Sequence, residues 1–216
     1  ERALTVMLLI DVSGSLCFGT RNQQKRDMVT EIAATLAFSA IQNNDKIGVI
    51  FFSDKIEKYI PPKKGRKHIL YIIRELLDFT PQSNQTDISV ALEFLSGVAK
   101  RHCTAFMMSD FYDRKSFLHP LTISNRKHDV VAIQVYDWWE RRLPDVGLLK
   151  VRDAESGYEQ YIDTGSKKLR DLHQRNWNNR QASLHEVFTK SNVDNVSIAT
   201  DEDYVKQLMM LFRKRN

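Results

Sequence analysis

Leu4–Ile10 (LTVMLLI) runs directly into Asp11-Val12-Ser13-Gly14-Ser15. The first stretch reads as a buried β-strand, because its apolar residues follow one another with only one threonine among them. The residues after it lose that character at once. They put a carboxylate and two hydroxyls at i, i+2 and i+4 on a turn at the strand's carboxyl end, which is where ligands bind in an open α/β sheet. Hard oxygen donors of this kind suit Mg²⁺, Mn²⁺ or Ca²⁺ and suit zinc or copper poorly. Asp and Ser are also ordinary turn and cap residues, so the five letters need support from the rest of the chain.

Working outward, strand and helix signals alternate. Helical spacing of Met28, Ile32, Leu36 and Ile41 predicts a helix over Gln23–Asn43. Lys46–Ser53 reads as a buried strand, and Ile56–Ile60 as a short return strand stopped by Pro61-Pro62. A helix is expected over Arg66–Phe79, with Ile69, Ile72, Ile73, Leu76 and Leu77 on one face. Pro81–Gln85 is a polar loop, followed by a helix over Asp87–Lys100 that buries Val90, Ala91, Phe94, Leu95 and Val98. Cys103–Met108 is a strand, Lys115–Ser124 a helix and Asp129–Val135 a strand. Leu148–Arg152 and Glu159–Asp163 flank Ser156-Gly157 as a β-hairpin. A long polar helix over Ser166–Ser191, a strand at Val196–Ala199 and a last helix capped by Thr200 or Asp201 complete the pattern.

This alternation implies an α/β fold with a Rossmann-like, doubly wound, mostly parallel sheet of six strands and helices on both faces. The 56–60 strand follows its neighbour too closely for a crossover, so it pairs antiparallel at an edge. The hairpin is an insertion. No linker divides the chain, and one domain over 1–216 is expected.

Two further positions offer matching ligands. Thr86 ends the 81–85 loop, and Asp110 directly follows the 103–108 strand. If strands 4–10 and 103–108 are neighbours across a topological switch, then Asp11, Ser13, Ser15 and Asp110 meet on one edge, within reach of Thr86. The set DxSxS…T…D is the pattern of a metal-ion-dependent adhesion site and resembles the von Willebrand factor A-like domain. That resemblance implies Ser13, Ser15 and Thr86 as direct ligands of Mg²⁺, with Asp11 and Asp110 acting directly or through water.

The likeness extends to the bacterial von Willebrand A-like family of unknown function associated with MoxR-type AAA+ ATPases. It is carried by ALTVMLLIDVSGS (3–15), DKIGVIFFSDKIEKYIPPKKGRKHIL (45–70), TDISVALEFL (86–95), MMSDFYD (107–113), RKHDVVAIQVYD (126–137) and RRLPDVGLLKVRDAESGYEQYIDT (141–164). Trp138-Trp139 departs from it, since members often carry a Pro-Arg pair there. Members usually have a segment before the first strand. Glu1 with no preceding Met agrees with a fragment of a longer protein.

The function implied is metal-bridged protein recognition. Two carboxylates and three neutral hydroxyls leave a divalent cation short of anionic donors, and Mg²⁺ keeps waters that an incoming Asp or Glu of a partner can replace. The resemblance adds a MoxR-type ATPase or its clients as the partner class, in assembly or maturation.

The chain has 216 residues, 42% of them hydrophobic, a net charge of +5 and a pI of about 9.1. That charge permits nucleic-acid contact without demanding it. No secretory signal is seen, and no apolar run approaches the roughly 20 residues a membrane span needs. Cys17 and Cys103 are too few for a disulfide scaffold, which points to a reduced, cytoplasmic setting. The scattered His argue against zinc.

The 63–68 basic run (KKGRKH) lacks a phosphate-loop pattern and reads as a solvated loop. Asp87 is either a partner of metal-bound water or an acidic first-turn residue. Asp113 is expected to cap the helix after the site, Trp138-Trp139 to pack on a loop, and Cys17 to fill core or loop.

Two other functions compete. A phosphohydrolase would use Asp11 as nucleophile, as haloacid-dehalogenase-type enzymes do. Those need an acid at i+2, where Ser13 stands, and a placed Lys, which no motif identifies. Nucleic-acid binding would rest on the basic faces alone, without interleaved aromatics.

Overall fold

A computed structural model describes residues 3–20 and 23–215; Glu1 lies outside them. Its centre is a six-stranded sheet in the order β3-β2-β1-β4-β5-β8. The strands are β1 (Thr5–Asp11), β2 (Lys46–Phe52), β3 (Ile56–Lys63), β4 (Thr104–Ser109), β5 (Asp129–Tyr136) and β8 (Asp194–Ala199). All pair in parallel except β3, which runs antiparallel to β2 at the edge. A separate hairpin joins β6 (Leu148–Arg152) to β7 (Glu159–Asp163).

Alternation along β1 shows how both faces are covered, because successive side chains of a strand point to opposite sides. Leu8 and Ile10 pack with Met28, Ile32 and Leu36 of α1 (Lys25–Gln42), Ile69, Ile72 and Leu76 of α2 (Arg66–Asp78), and Leu208 and Leu211 of α7 (Tyr204–Arg215). Met7 and Leu9 pack on the other side with Ile88, Ala91, Leu92 and Leu95 of α3 (Ile88–Val98). Leu121 of α4 (Leu118–Lys127), with Leu184 and Phe188 of α6 (Lys167–Ser191), completes that layer.

The strand order reverses direction at β1. The chain leaves β1 for β2 on one side, and later returns to β4 on the other. The carboxyl ends of β1 and β4 therefore lie side by side, with Ile10 paired to Met108.

Several expectations are corrected. β3 continues through Pro61 and Pro62 to Lys63, which an edge strand tolerates because its outer N–H groups need no partner. Leu77 is 66% exposed and leaves the α2 core face, while Leu92 joins the α3 core. α4 begins at Leu118 rather than 115, which puts Pro120 in its first turn, where a missing N–H costs little. Trp138-Trp139 lie on a short helix, α5 (Trp138–Arg141), capped by Asp137. α7 starts at Tyr204, with the Asp203 carboxylate accepting from Val205 and Lys206 N–H. Thr200 instead donates its hydroxyl to Asp137. The helix start expected at Arg66 is found inside the basic run, where His68 also bonds the Ile47 carbonyl.

Candidate functional site

Asp11 is the last residue of β1, and the chain turns immediately after it. Its Oδ1 accepts from Ser13 N–H at 2.8 Å, closing a local turn that holds the carboxylate inward. Its Oδ2 accepts from the Ser109 hydroxyl at 2.5 Å, across the β1–β4 seam. A 3-10 turn over Gly14–Cys17 follows and brings the Ser13 and Ser15 hydroxyls to 3.2 Å of each other. Asp110 leaves β4 directly. Its Oδ1 accepts from Tyr112 N–H at 3.0 Å, and Ser15 also hydrogen-bonds it.

Thr86 arrives on a separate loop, and backbone bonds fix that loop. Gly14 N–H donates to the Asn84 carbonyl at 3.0 Å, and Asp87 N–H to the Ser53 carbonyl at 3.1 Å. The Glu57 carboxylate accepts from Gln82 and Ser83 N–H and from the Ser53 hydroxyl. The Thr86 hydroxyl oxygen is buried and has no hydrogen-bond partner. An orphaned buried hydroxyl is costly and calls for an explanation.

The electrostatics are set by burial and by one lysine. Asp11 and Asp110 are 2% and 3% exposed. Burial, and then the neighbouring Asp110 charge, push the Asp11 carboxyl up to about 7, against the hydrogen bonds from Ser109 and Ser13. Burial is the largest influence on Asp110 and acts upward, but the adjacent Lys25 ammonium and the hydrogen bonds to that carboxylate together outweigh it and hold it below its usual range. Lys25 is the first residue of α1. Its Nζ lies 2.7 Å from Asp110 Oδ2 and 2.6 Å from Glu140 Oε1.

All five residues singled out from the sequence belong to this one edge. Three connecting residues carried no motif: Lys25, Ser109 and Glu140. Only Lys25 had a visible signal, since a cation at a helix start opposes the helix dipole. Asp87 turns out to be the N-cap of α3, its carboxylate accepting from Ser89 N–H and pairing with Lys115. Asp113 does not cap the following helix. It accepts from Ile88 N–H, and so braces the start of α3 beside Thr86. Cys17 is exposed at the end of the 3-10 turn and is not part of the core.

The donor set is uniformly oxygen, with two carboxylates and three hydroxyls. Among the described residues no group of three or more His, Cys, Asp or Glu could hold a metal, so any cation here depends on the hydroxyls. The unpartnered Thr86 oxygen fits such a hard cation. Beside the site, a cleft of about 620 Å³ opens between the hairpin, α5 and α6, lined by Phe18, Trp139, Leu149, Ile162 and Leu172.

Comparison with known proteins agrees with this architecture. Uncharacterised proteins of Mycobacterium bovis and Mycobacterium tuberculosis are 29% identical over 219 residues, covering all of this chain and 68% of theirs. Among solved structures, the conserved hypothetical protein BatB from Bacteroides thetaiotaomicron matches with a TM-score of 0.66 at 13% identity, over 99% of this chain and 98% of its own. Proximal thread matrix protein 1 of the mussel byssus, solved with a zinc-occupied metal-ion-dependent adhesion site, matches with a TM-score of 0.50 at 18% identity, over 62% of this chain and 38% of its own. The fold is von Willebrand A-like. The model of the family described as protein of unknown function DUF58 matches residues 1–183, and the chain belongs to that family.

Proposed function

We propose that this DUF58 member is a non-enzymatic protein-interaction domain that recognises a partner's Asp or Glu carboxylate through a divalent cation, Mg²⁺ in the first instance, with Mn²⁺ or Ca²⁺ as alternatives. The observation that carries the proposal is the buried, unpartnered Thr86 hydroxyl at the same sheet edge as Asp11, Ser13, Ser15 and Asp110. Ser13, Ser15 and Thr86 would hold the cation directly, and Asp11 and Asp110 directly or through water. The cation would supply a positive centre with exchangeable waters, which a carboxylate can replace.

The chain's own residues favour capture over turnover. Both Asp11 oxygens already accept hydrogen bonds, from Ser13 N–H and the Ser109 hydroxyl. A nucleophile needs a free oxygen and an acid nearby, and Ser13 stands where phosphoryl-transfer enzymes of this plan carry the acid. Lys25 does place a cation at the site, but both its partners are carboxylates. Nucleic-acid binding has only the modest net charge behind it.

The partner class we propose is a MoxR-type ATPase or its clients, on the sequence resemblance. We also place the domain in the cytoplasm, where its two free thiols would stay reduced. No helix among the described residues is long and apolar enough to cross a membrane.

The test is direct binding of a purified MoxR-type ATPase in Mg²⁺ and in excess EDTA, with wild type and Asp11→Ala. Binding should need Mg²⁺ and be lost in the variant. Unchanged affinity in EDTA contradicts metal bridging.

A further inference from the structure

Lys25 is the largest anomaly at the site. Its side chain is 0% exposed, at the amino end of an 18-residue helix. A charge in that place has given up its water and opposes the helix dipole, so it persists only if its partners compensate it. Those partners are two carboxylates on different elements. Asp110 follows β4 and is 3% exposed; Glu140 sits on the single-turn α5 and is 22% exposed. The Phe18 ring lies 5.9 Å from the ammonium and closes it over. Glu140 is held in turn, its Oε2 accepting from Asp137 N–H at 2.8 Å.

The Asp110 oxygen that Lys25 engages belongs to one of the five proposed cation donors. A divalent ion on Asp110 and an ammonium on the same carboxylate repel each other in a buried, low-dielectric place. The lysine stem is flexible, and Glu140 already offers a second anchor on its open side.

We propose that Lys25 is a built-in competitor of the divalent cation: its ammonium shares Asp110 when the ion is absent and rests on Glu140 alone when the ion is bound. This rests on the metal site of the preceding section. It sets how tightly the site holds its ion, and it links ion occupancy to α5, which lines the neighbouring cleft through Trp139 and Glu140.

The experiment titrates Mn²⁺ alone into the whole chain and reads free Mn²⁺ by electron paramagnetic resonance. It compares wild type with Lys25→Met, Lys25→Gln and Lys25→Arg. The neutral variants should bind at least about tenfold more tightly than wild type, while Lys25→Arg stays near wild type, because the charge and not the packing is what competes. Lys25→Gln keeps hydrogen-bonding capacity if Lys25→Met fails to fold. A crystal structure of the wild type grown with Mg²⁺ needs no variant at all: the Lys25 ammonium should be beyond hydrogen-bonding distance of Asp110 and still on Glu140.

Wild type binding Mn²⁺ with neutral variants equal or weaker, or an ammonium still on Asp110 beside a bound ion, overturns the competition and leaves the metal site standing. Absence of Mn²⁺ binding in every variant and in wild type overturns the metal site itself, and the competition with it.

Discussion

Gly14 donates its backbone N–H to the carbonyl of Asn84 at 3.0 Å, and this bond ties the loop carrying Ser13 and Ser15 to the loop carrying Thr86. The two loops are far apart in sequence, and the Asp87 N–H bond to the Ser53 carbonyl just past β2 helps hold the second beside the first. The contact is close. A Cβ on Gly14 would stand 2.5 Å from the Ala154 carbonyl oxygen and 3.0 Å from Asn84 Cβ.

Gly14→Ala therefore pushes the Ser13–Ser15 loop off the hairpin turn at Ala154, whose backbone oxygen cannot step aside as a side chain can, and crowds it against Asn84 of the Thr86 loop. The core strands are untouched, so the unfolding midpoint should change modestly. Mg²⁺ affinity, measured by calorimetry, should fall about tenfold or more. An unchanged affinity would show that the two loops do not need each other.

Asp11 makes stability fall as pH rises. Its carboxyl is pushed up to about 7 in the folded chain, from 3.8 when free. Between those values the folded state keeps a proton that the unfolded state has released. The contribution is fully present below pH 4, is lost as pH rises to about 7, and is flat above. Asp11→Asn resembles the protonated form at every pH. In EDTA, urea unfolding should show the variant gaining on wild type from pH 4.5 to about 7, by on the order of a few kcal/mol. A constant difference across that window contradicts the assignment. Mg²⁺ binding should tighten over the same range, since a cation favours the charged carboxylate.

The sheet was largely legible because β1, β2, β4 and β5 are apolar runs whose burial on both faces leaves little choice of element. Thr86 and Asp110 were legible as well, since each directly adjoins an element's end. What escaped depends on contacts between distant segments. Nothing local marks Glu57 as the brace of the Thr86 loop, because its partners are backbone N–H groups at 82 and 83. Asp113 looks like a cap for its own following helix and serves α3 instead. Pro61-Pro62 signalled a strand end, yet at an edge the missing N–H groups cost nothing. Lys25 belongs to no motif, and only the fold shows two carboxylates converging on it.

Asp137 is the second tie at this end of the sheet. It is fully buried and accepts from Thr20 N–H at 2.8 Å, the Thr20 hydroxyl at 2.5 Å, Trp139 N–H at 2.8 Å and the Thr200 hydroxyl at 3.3 Å. Asp137→Ala leaves these donors unpaired and frees α5. The loss should be about 3 kcal/mol or more in urea unfolding, at the high end for a single substitution. A loss under about 1 kcal/mol would mean that water replaces the carboxylate without penalty.

The two thiols should differ sharply. Cys103 is 2% exposed, contacts His128 Nδ1 at 3.4 Å, and burial pushes its thiol up to about 11. Cys17 is exposed. At pH 8 a maleimide should label Cys17 rapidly and leave Cys103 unmodified until the chain is unfolded, as peptide mass mapping will show. Equal labelling of both in the native protein contradicts the packing around β4.

The central claim is that Asp11, Ser13, Ser15, Thr86 and Asp110 together hold one divalent cation, and the most direct measurement is calorimetric titration of Mg²⁺ into wild type and Thr86→Val. Valine nearly matches threonine in shape and removes only the hydroxyl that has no protein partner. Wild type should bind a single ion, and the variant should bind it about tenfold more weakly while melting no lower than wild type, because an unpartnered buried hydroxyl stabilises nothing in the ion-free protein. Identical Mg²⁺ binding in the two proteins, or none in wild type, would contradict the account.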